Sequence, residues 1–145
     1  MKYGKIYFED VQVGGEIPPL VKGPIQQIQL TRYAGASGDF NPIHQDHEFA
    51  KAAGMGDVFG HGMLTMGFVA QSVTDWAGAG SVRKIGVRFG GLVRLKDTIT
   101  CKGRVLSKES KDGVNTVELE LWAENQKGEK VVTGKATVAL ASRVD

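Results

Sequence analysis

The chain has 145 residues, 41% of them hydrophobic, and its 18 basic and 16 acidic side chains leave a net charge of +2. These values predict one globular domain over residues 1–145, and the scattered placement of the basic residues argues against nucleic acid as a partner. A single cysteine, no signal-peptide pattern after Met1 and no apolar run long enough to cross a bilayer together predict a cytoplasmic protein without membrane contact.

The first third of the chain predicts a strand, a short helix and a loop. Thr31 is a suitable N-cap for the short helix, and Gly38 is suited to end it. Pro42 disfavours helical backbone at the residue before it and predicts an extended or turn conformation for residues 39–44. A second short helix is expected over residues 46–53, with an aspartate at its start and a glycine after its end.

Residues 62–77 form a helical pattern that is apolar almost all round, which predicts a buried helix. The segments that follow alternate between apolar and polar residues, as in half-buried strands. Asp112-Gly113 and Lys127-Gly128 mark turns between them. Four long strands after one buried helix predict an α+β fold in which an antiparallel sheet wraps around the helix.

The segment 37–44 carries the most chemistry in the sequence. It places the carboxylate of Asp39, the amide of Asn41 and the imidazole of His44 within six positions. A carboxylate and an imidazole held near one another can move protons during addition or removal of water, typically contributing about 10²–10⁴-fold in rate. The alternative for these residue types is structural, with Asp39 and Asn41 bonding to the backbone of a turn and His44 half-buried.

Gly62 stands where the apolar helix is expected to begin. The first N–H groups of a helix have no partner inside the helix, and the helix dipole favours negative charge there. Glycine also lets a substrate carbonyl approach without a Cβ in the way. Gly62 is therefore a candidate to stabilise a developing oxyanion through its backbone N–H, the alternative being a glycine required only by the turn.

The string from Gly38 to His44 resembles the hydratase-2 motif of the MaoC-like dehydratases, G-D-x-N-P-[LIV]-H, with Tyr33 and Ala50 as its flanking residues. The resemblance is specific over residues 33–67 and extends to the order of elements along the whole chain. It implies a hot-dog fold and the reversible hydration of trans-2-enoyl thioesters to (3R)-3-hydroxyacyl thioesters. The implied substrate is carried on coenzyme A or on acyl carrier protein, and the implied assembly is a homodimer or a higher homo-oligomer.

The same resemblance assigns roles to individual residues. The positions matched by Asp39 and His44 are the family's catalytic pair, and the backbone N–H at Gly62 polarises the thioester carbonyl. Asn41 matches a supporting residue that fixes the loop or a catalytic partner. The implied reaction requires no cofactor, since the thioester itself activates the substrate. His61 is interpreted as structural.

Two groups of residues are weaker candidates for binding the substrate. Met63, Met66 and Phe68 lie on the apolar helix, where they either line the acyl chain or belong to the core. Lys84 and Arg88 lie on the first strand after the helix, where charge usually marks the solvated face. The functional alternative for both cations is contact with the phosphates of the carrier.

His47 departs from the family pattern, which has proline three residues after the catalytic histidine. Together with Asp39, His44 and His61 it raises the alternative of a zinc or iron site. The histidine spacing is not a ligand geometry by itself, so we predict no metal and expect His47 to be an exposed loop residue.

Two other functions compete with hydration. A hot-dog thioesterase would use a carboxylate to activate water at the carbonyl carbon, and the sequence context around Pro42 and His44 argues against it. A catalytically silent acyl-thioester-binding subunit would depend on a partner chain. Such subunits typically lack the pair that Asp39 and His44 form here.

Overall fold

The computed structural model describes residues 6–143. A short strand β1 and three helices precede four long strands, in the order β1 (Leu20–Lys22), α1 (Gln27–Ser37), α2 (His47–Ala52), α3 (Gly62–Ala77), β2 (Val82–Phe89), β3 (Ile99–Lys111), β4 (Val114–Glu124) and β5 (Lys130–Ala139). Single 3-10 turns lie at Phe8–Asp10 and Pro42–His44. The four long strands after the apolar helix agree with the prediction from the sequence.

The five strands form one antiparallel sheet in the order β1-β3-β4-β5-β2. The β3–β4 hairpin closes at Asp112-Gly113, where both residues have positive φ, 54° and 76°. This is the geometry of a two-residue hairpin turn whose twist matches that of the flanking strands. The predicted turn at Lys127-Gly128 also has a glycine with positive φ, 77°. Both predicted turns are confirmed.

Helix α3 packs against one face of the sheet and contacts all five strands. The core between them contains Val69 and Val73 from the helix and alternating residues of the central strands, including Val117, Leu119 and Leu121. The prediction of a helix buried all round holds for one face only, because Met63 at its N-terminal turn is 56% exposed. The α+β prediction with a sheet around one apolar helix is confirmed.

For the two short helices, two predicted boundaries are correct and one is wrong. Helix α1 ends as predicted, with Gly38 in the left-handed conformation at φ 76°. Its predicted start is wrong, because the helix begins at Gln27 and Thr31 lies inside it. Asp46 caps α2 as predicted, its side chain accepting a hydrogen bond from the Phe49 N–H at 3.0 Å. Among residues 6–143, no helix has both the length and the apolar character required to cross a membrane.

Candidate active site

The loop after α1 is shaped by two side chains that bond to the backbone just ahead of them. Asp39 Oδ1 accepts a hydrogen bond from the Asn41 N–H, and Asn41 Oδ1 accepts one from the Ile43 N–H, each at 3.2 Å. The second bond caps the 3-10 turn Pro42–His44. Both residues therefore have the turn-forming role that their types predict, and this role turns His44 toward the protein interior.

His44 is buried, with 6% of its surface exposed. Its Nδ1 lies 2.6 Å from the backbone oxygen of Phe59. Because a carbonyl oxygen can only accept, this short contact requires the hydrogen on Nδ1. With this tautomer, the uncharged form of the ring has its lone pair at Nε2, the nitrogen that can accept a proton from water.

A polar network behind His44 holds its backbone. Gln27 Nε2 donates to the His44 carbonyl oxygen at 3.0 Å and to Gln45 Oε1 at 3.3 Å. Thr31 Oγ1 donates to the same Gln45 oxygen at 2.9 Å. Helix α1 is thereby tied to the turn that carries His44. Sequence analysis missed this support, since Gln27 lies 17 residues before His44 and no local pattern connects them.

His61 is the second histidine of the site and is 1% exposed. Its ring stacks on that of His44, with centroids 4.0 Å apart and planes at 30°, and makes an edge-to-face contact with Tyr33 at a centroid distance of 4.7 Å. His61 Nε2 lies 3.1 Å from the backbone oxygen of Asp39. Burial is the main cause that lowers the pKa of His61, and the neighbouring His44 lowers it further.

Gly62 is the first residue of α3, directly after His61. A Cβ built on Gly62 would lie 3.1 Å from two ring carbons of Phe89, closer than side chains normally approach. A cavity of about 160 Å³ opens beside this glycine. Its mostly apolar lining is formed by Phe59, Gly60, Gly62, Thr65, Phe89, Gly91, Leu92, Val93 and Val132. The helix N-terminus therefore faces a pocket with room for a small apolar group.

Asp39, His44 and His61 can each offer one donor atom within 4.8 Å of the others, and within residues 6–143 they form the group of three that could hold a metal ion. His47 is not among them. It is the first residue of α2 instead of a loop residue, and its Nδ1 lies 2.6 Å from Asp57 Oδ1. Its expected exposure is correct, but the expected loop position is wrong, because Asp46 starts a helix there.

The remaining candidates lie around the site or away from it. Met63 is exposed beside Gly62, Met66 is half-buried and Phe68 is part of the core. Lys84 and Arg88 alternate along β2 with the inward-facing Ile85 and Val87, which places both cations on the sheet face opposite α3. Their roles in substrate binding stay predictions.

Comparison with known proteins agrees with this geometry. Residues 11–127 match the family model described as "MaoC like domain". A 3-oxo-4,17-pregnadiene-20-carboxyl-CoA hydratase beta subunit from Mycobacterium tuberculosis is 36% identical over 132 residues, which are 90% of this chain and 97% of that protein. An (R)-specific enoyl-CoA hydratase from Rhodospirillum rubrum is 29% identical over 94% of this chain and 93% of its own length.

The solved structure of R-hydratase PhaJ1 from Pseudomonas aeruginosa superposes with a TM-score of 0.85 at 26% identity. The match covers 96% of this chain and 88% of that chain. The hot-dog fold expected from the sequence is thereby confirmed. This chain belongs to the MaoC-like dehydratase family.

Proposed function

We propose that this chain is a hydro-lyase that catalyses the reversible hydration of trans-2-enoyl thioesters to (3R)-3-hydroxyacyl thioesters in fatty-acid or related acyl metabolism. One observation carries the proposal: donor atoms of Asp39, His44 and His61 lie within 4.8 Å of one another, and His61 directly precedes Gly62, the first residue of α3. The hydratase names of the relatives support the same reaction, and both names contain CoA, which favours coenzyme A over carrier protein.

In the proposed hydration, Asp39 and His44 hold one water beside C3 of the enoyl group. His44 Nε2 accepts a proton from the water while the water oxygen forms a bond to C3. The C2=C3 electrons move toward the thioester oxygen, where the Gly62 N–H stabilises the enolate. The pair formed by Asp39 and His44 then delivers a proton to C2 from the same face. Water has supplied hydroxyl at C3 and hydrogen at C2, and the enzyme ends in its starting protonation state.

The cavity beside Gly62 suits the acyl chain. Its volume of about 160 Å³ is close to that of an engineered apolar cavity of roughly 150 Å³ that holds benzene. Short enoyl chains are therefore the best fit to the pocket of one subunit. Rates measured for enoyl-CoA substrates of increasing length would fall once the chain exceeds about six carbons.

The proposed assembly is a homodimer. In the described part of the chain, the eight-residue strand β2 is an edge of the sheet, with β5 as its strand neighbour. A long open edge promotes pairing with another chain unless it is covered. Light scattering at micromolar concentration should give at least twice the chain mass. Activity that appears only after a second, different chain is added would instead favour a subunit of a heteromeric hydratase.

The decisive assay uses purified protein with crotonyl-CoA and follows the enoyl absorbance and the thioester separately. Hydration removes the enoyl absorbance and keeps the thioester, and chiral chromatography after hydrolysis should give the 3R acid. Loss of the thioester with the enoyl group intact would identify a thioesterase. No change in either signal would identify a silent binding subunit.

A further inference from the structure

One buried polar group has no part in the mechanism above. His61 is 1% exposed, and its Nδ1 is buried without a hydrogen-bond partner among the described residues. An unsatisfied buried polar atom costs free energy, so its presence beside a reactive site calls for a physical reason. The ring also contacts those of Tyr33 and His44, and His61 directly precedes Gly62.

The contacts of His61 fix its tautomer. Its Nε2 faces the backbone oxygen of Asp39 at 3.1 Å, and a carbonyl can only accept, so the hydrogen lies on Nε2 and Nδ1 is the bare nitrogen. A second proton would have to sit on Nδ1, which faces no acceptor among residues 6–143. The groups facing the ring are Tyr33 from α1, Asp39 from the loop and His44 from the turn. Burial outweighs both the hydrogen bond to the Asp39 backbone oxygen and the attraction of the Asp39 carboxylate, and the pKa of His61 is lowered.

A neutral His61 has two consequences for its neighbours. Its Nε2–H anchors the main chain of Asp39, which otherwise lies in an exposed loop. Its uncharged ring, 4.0 Å from that of His44, adds no positive charge that would oppose protonation of His44 during the reaction. We propose that His61 is a positioning residue that stays neutral, holds the Asp39 loop against His44 by its Nε2–H donor, and leaves proton exchange to His44.

This inference rests on the proposed hydratase activity and can be tested separately from it. His61→Phe keeps an aromatic ring in contact with Tyr33 and His44 but removes the donor to Asp39. His61→Gln restores an N–H near the position of Nε2 without the ring. With crotonyl-CoA we expect His61→Phe to lower kcat about tenfold or more and to leave KM within about twofold, because a misplaced catalytic group costs rate rather than uniform binding. His61→Gln should be at least about fivefold more active than His61→Phe.

Two further measurements complete the test. Long-range ¹H–¹⁵N spectra of the wild-type imidazoles should show His61 as the neutral Nε2–H tautomer throughout pH 5–8. His47→Phe, the same change at an exposed histidine, should leave kcat unchanged. Full kcat in His61→Phe, equal losses in the Phe and Gln variants, or titration of His61 in that pH range would overturn the proposal. A wild-type protein without hydratase activity would refute the proposed function instead. The spectra would still show whether His61 is the neutral Nε2–H tautomer.

Discussion

Two histidine–carboxylate arrangements lie three residues apart in the sequence and differ in almost every physical respect. His44 is buried against His61, and Asp39 lies at the open side of the same cluster. His47 pairs with Asp57 at 2.6 Å, and each of these two side chains is about half exposed, 48% and 50%. The same residue types therefore form the proposed reactive site in one place and an exposed hydrogen-bonded pair in the other.

The difference lies in what surrounds each histidine. The ring of His44 has a fixed tautomer, because its Nδ1 faces the Phe59 carbonyl, and its other nitrogen stays available. The Nδ1 of His47 is hydrogen-bonded to Asp57 Oδ1, and solvent screens this exposed pair. The hydrogen bonds that lower the pKa of Asp57 come from the Val58 N–H and then from His47, whereas burial lowers that of His61. Burial and backbone partners, more than residue type, therefore distinguish the histidine proposed for catalysis from the exposed one.

The largest expected effect comes from removing proton transfer at the buried cluster. Asp39→Asn keeps an oxygen that can accept from the Asn41 N–H, and His44→Asn keeps a donor to the Phe59 carbonyl. Each change should lower kcat with crotonyl-CoA at least about 100-fold, the usual contribution of general acid–base catalysis. Both variants should stay folded, as judged by circular dichroism and molecular mass.

His47→Asn is the matched control, since it makes the same substitution at the exposed pair. Its kcat should equal that of the wild type. Retention of more than a tenth of the wild-type rate by a folded Asp39→Asn or His44→Asn protein would contradict the acid–base role. A comparable loss in His47→Asn would abolish the distinction between the two histidines.

Local sequence signals predicted the parts of this site that are made by neighbours in the chain. Pro42 and Asn41 predicted the turn, Gly38 the helix end and Asp46 the helix start, because each acts on backbone within a few residues. The predicted start of α1 at Thr31 was wrong. The Thr31 hydroxyl does not cap the helix; it lies at hydrogen-bond distance from the Gln27 backbone oxygen, one turn earlier, and from Gln45 Oε1.

Contacts between distant residues could not be predicted in this way. His61 reaches Asp39 across 22 residues, and its stacking on His44 depends on how α3 packs against the sheet. The alternating strands were visible in the sequence because side chains on one face share one core. The motif resemblance supplied the candidate pair Asp39 and His44, and the sequence also drew attention to His61. The stacking of His61 on His44 and the position of Phe89 beside Gly62 could not be predicted from the sequence.

A smaller effect is expected at the helix N-terminus. Gly62→Ala would place a Cβ 3.1 Å from the Phe89 ring, and either the helix N-terminus or that ring would have to shift beside the proposed position of the substrate carbonyl. We expect kcat to fall by about 10²-fold or less, because loss of one oxyanion donor costs about 10²–10³-fold and this change only obstructs it.

Gly67→Ala is the control on the same helix, because a Cβ there meets nothing within 4 Å. Alanine inside a helix should raise the free energy of unfolding by about 0.5–1 kcal/mol and leave kcat unchanged. If Gly62→Ala is as active as Gly67→Ala, the backbone at Gly62 does not contact the thioester carbonyl.

Removing charges from the sheet face opposite α3 should affect catalysis less than Gly62→Ala does. Lys84 and Arg88 line shallow grooves that also contain Glu118 and Glu120. A phosphate contact at such an exposed position is worth at most about 1 kcal/mol, so Lys84→Gln and Arg88→Gln should each raise KM for crotonyl-CoA less than about fivefold. Any rise should vanish in high salt. A tenfold rise that survives high salt would place the coenzyme on this face.

The smallest effect is expected from His47→Pro combined with a metal-chelator test. Proline is favoured at the first residue of a helix, which is the position of His47 in α2. Asp46 before it has φ −112° and ψ 111°, an extended backbone that a following proline tolerates. The variant loses only the exposed contact to Asp57, so its melting temperature should change by less than about 4 °C and its kcat should not change.

The same experiment decides whether the buried cluster works through a metal ion. Asp39, His44 and His61 have donors close enough for one ion, whereas His47 is not in that group. If they act by proton transfer, dialysis against a strong chelator leaves the kcat of both wild type and His47→Pro intact. If they hold a catalytic ion, chelation abolishes activity in both proteins and added zinc or iron restores it. Loss of activity on chelation would therefore favour a metal-dependent mechanism over acid–base catalysis by Asp39 and His44. The exposed pair of His47 and Asp57 would have no part in either mechanism.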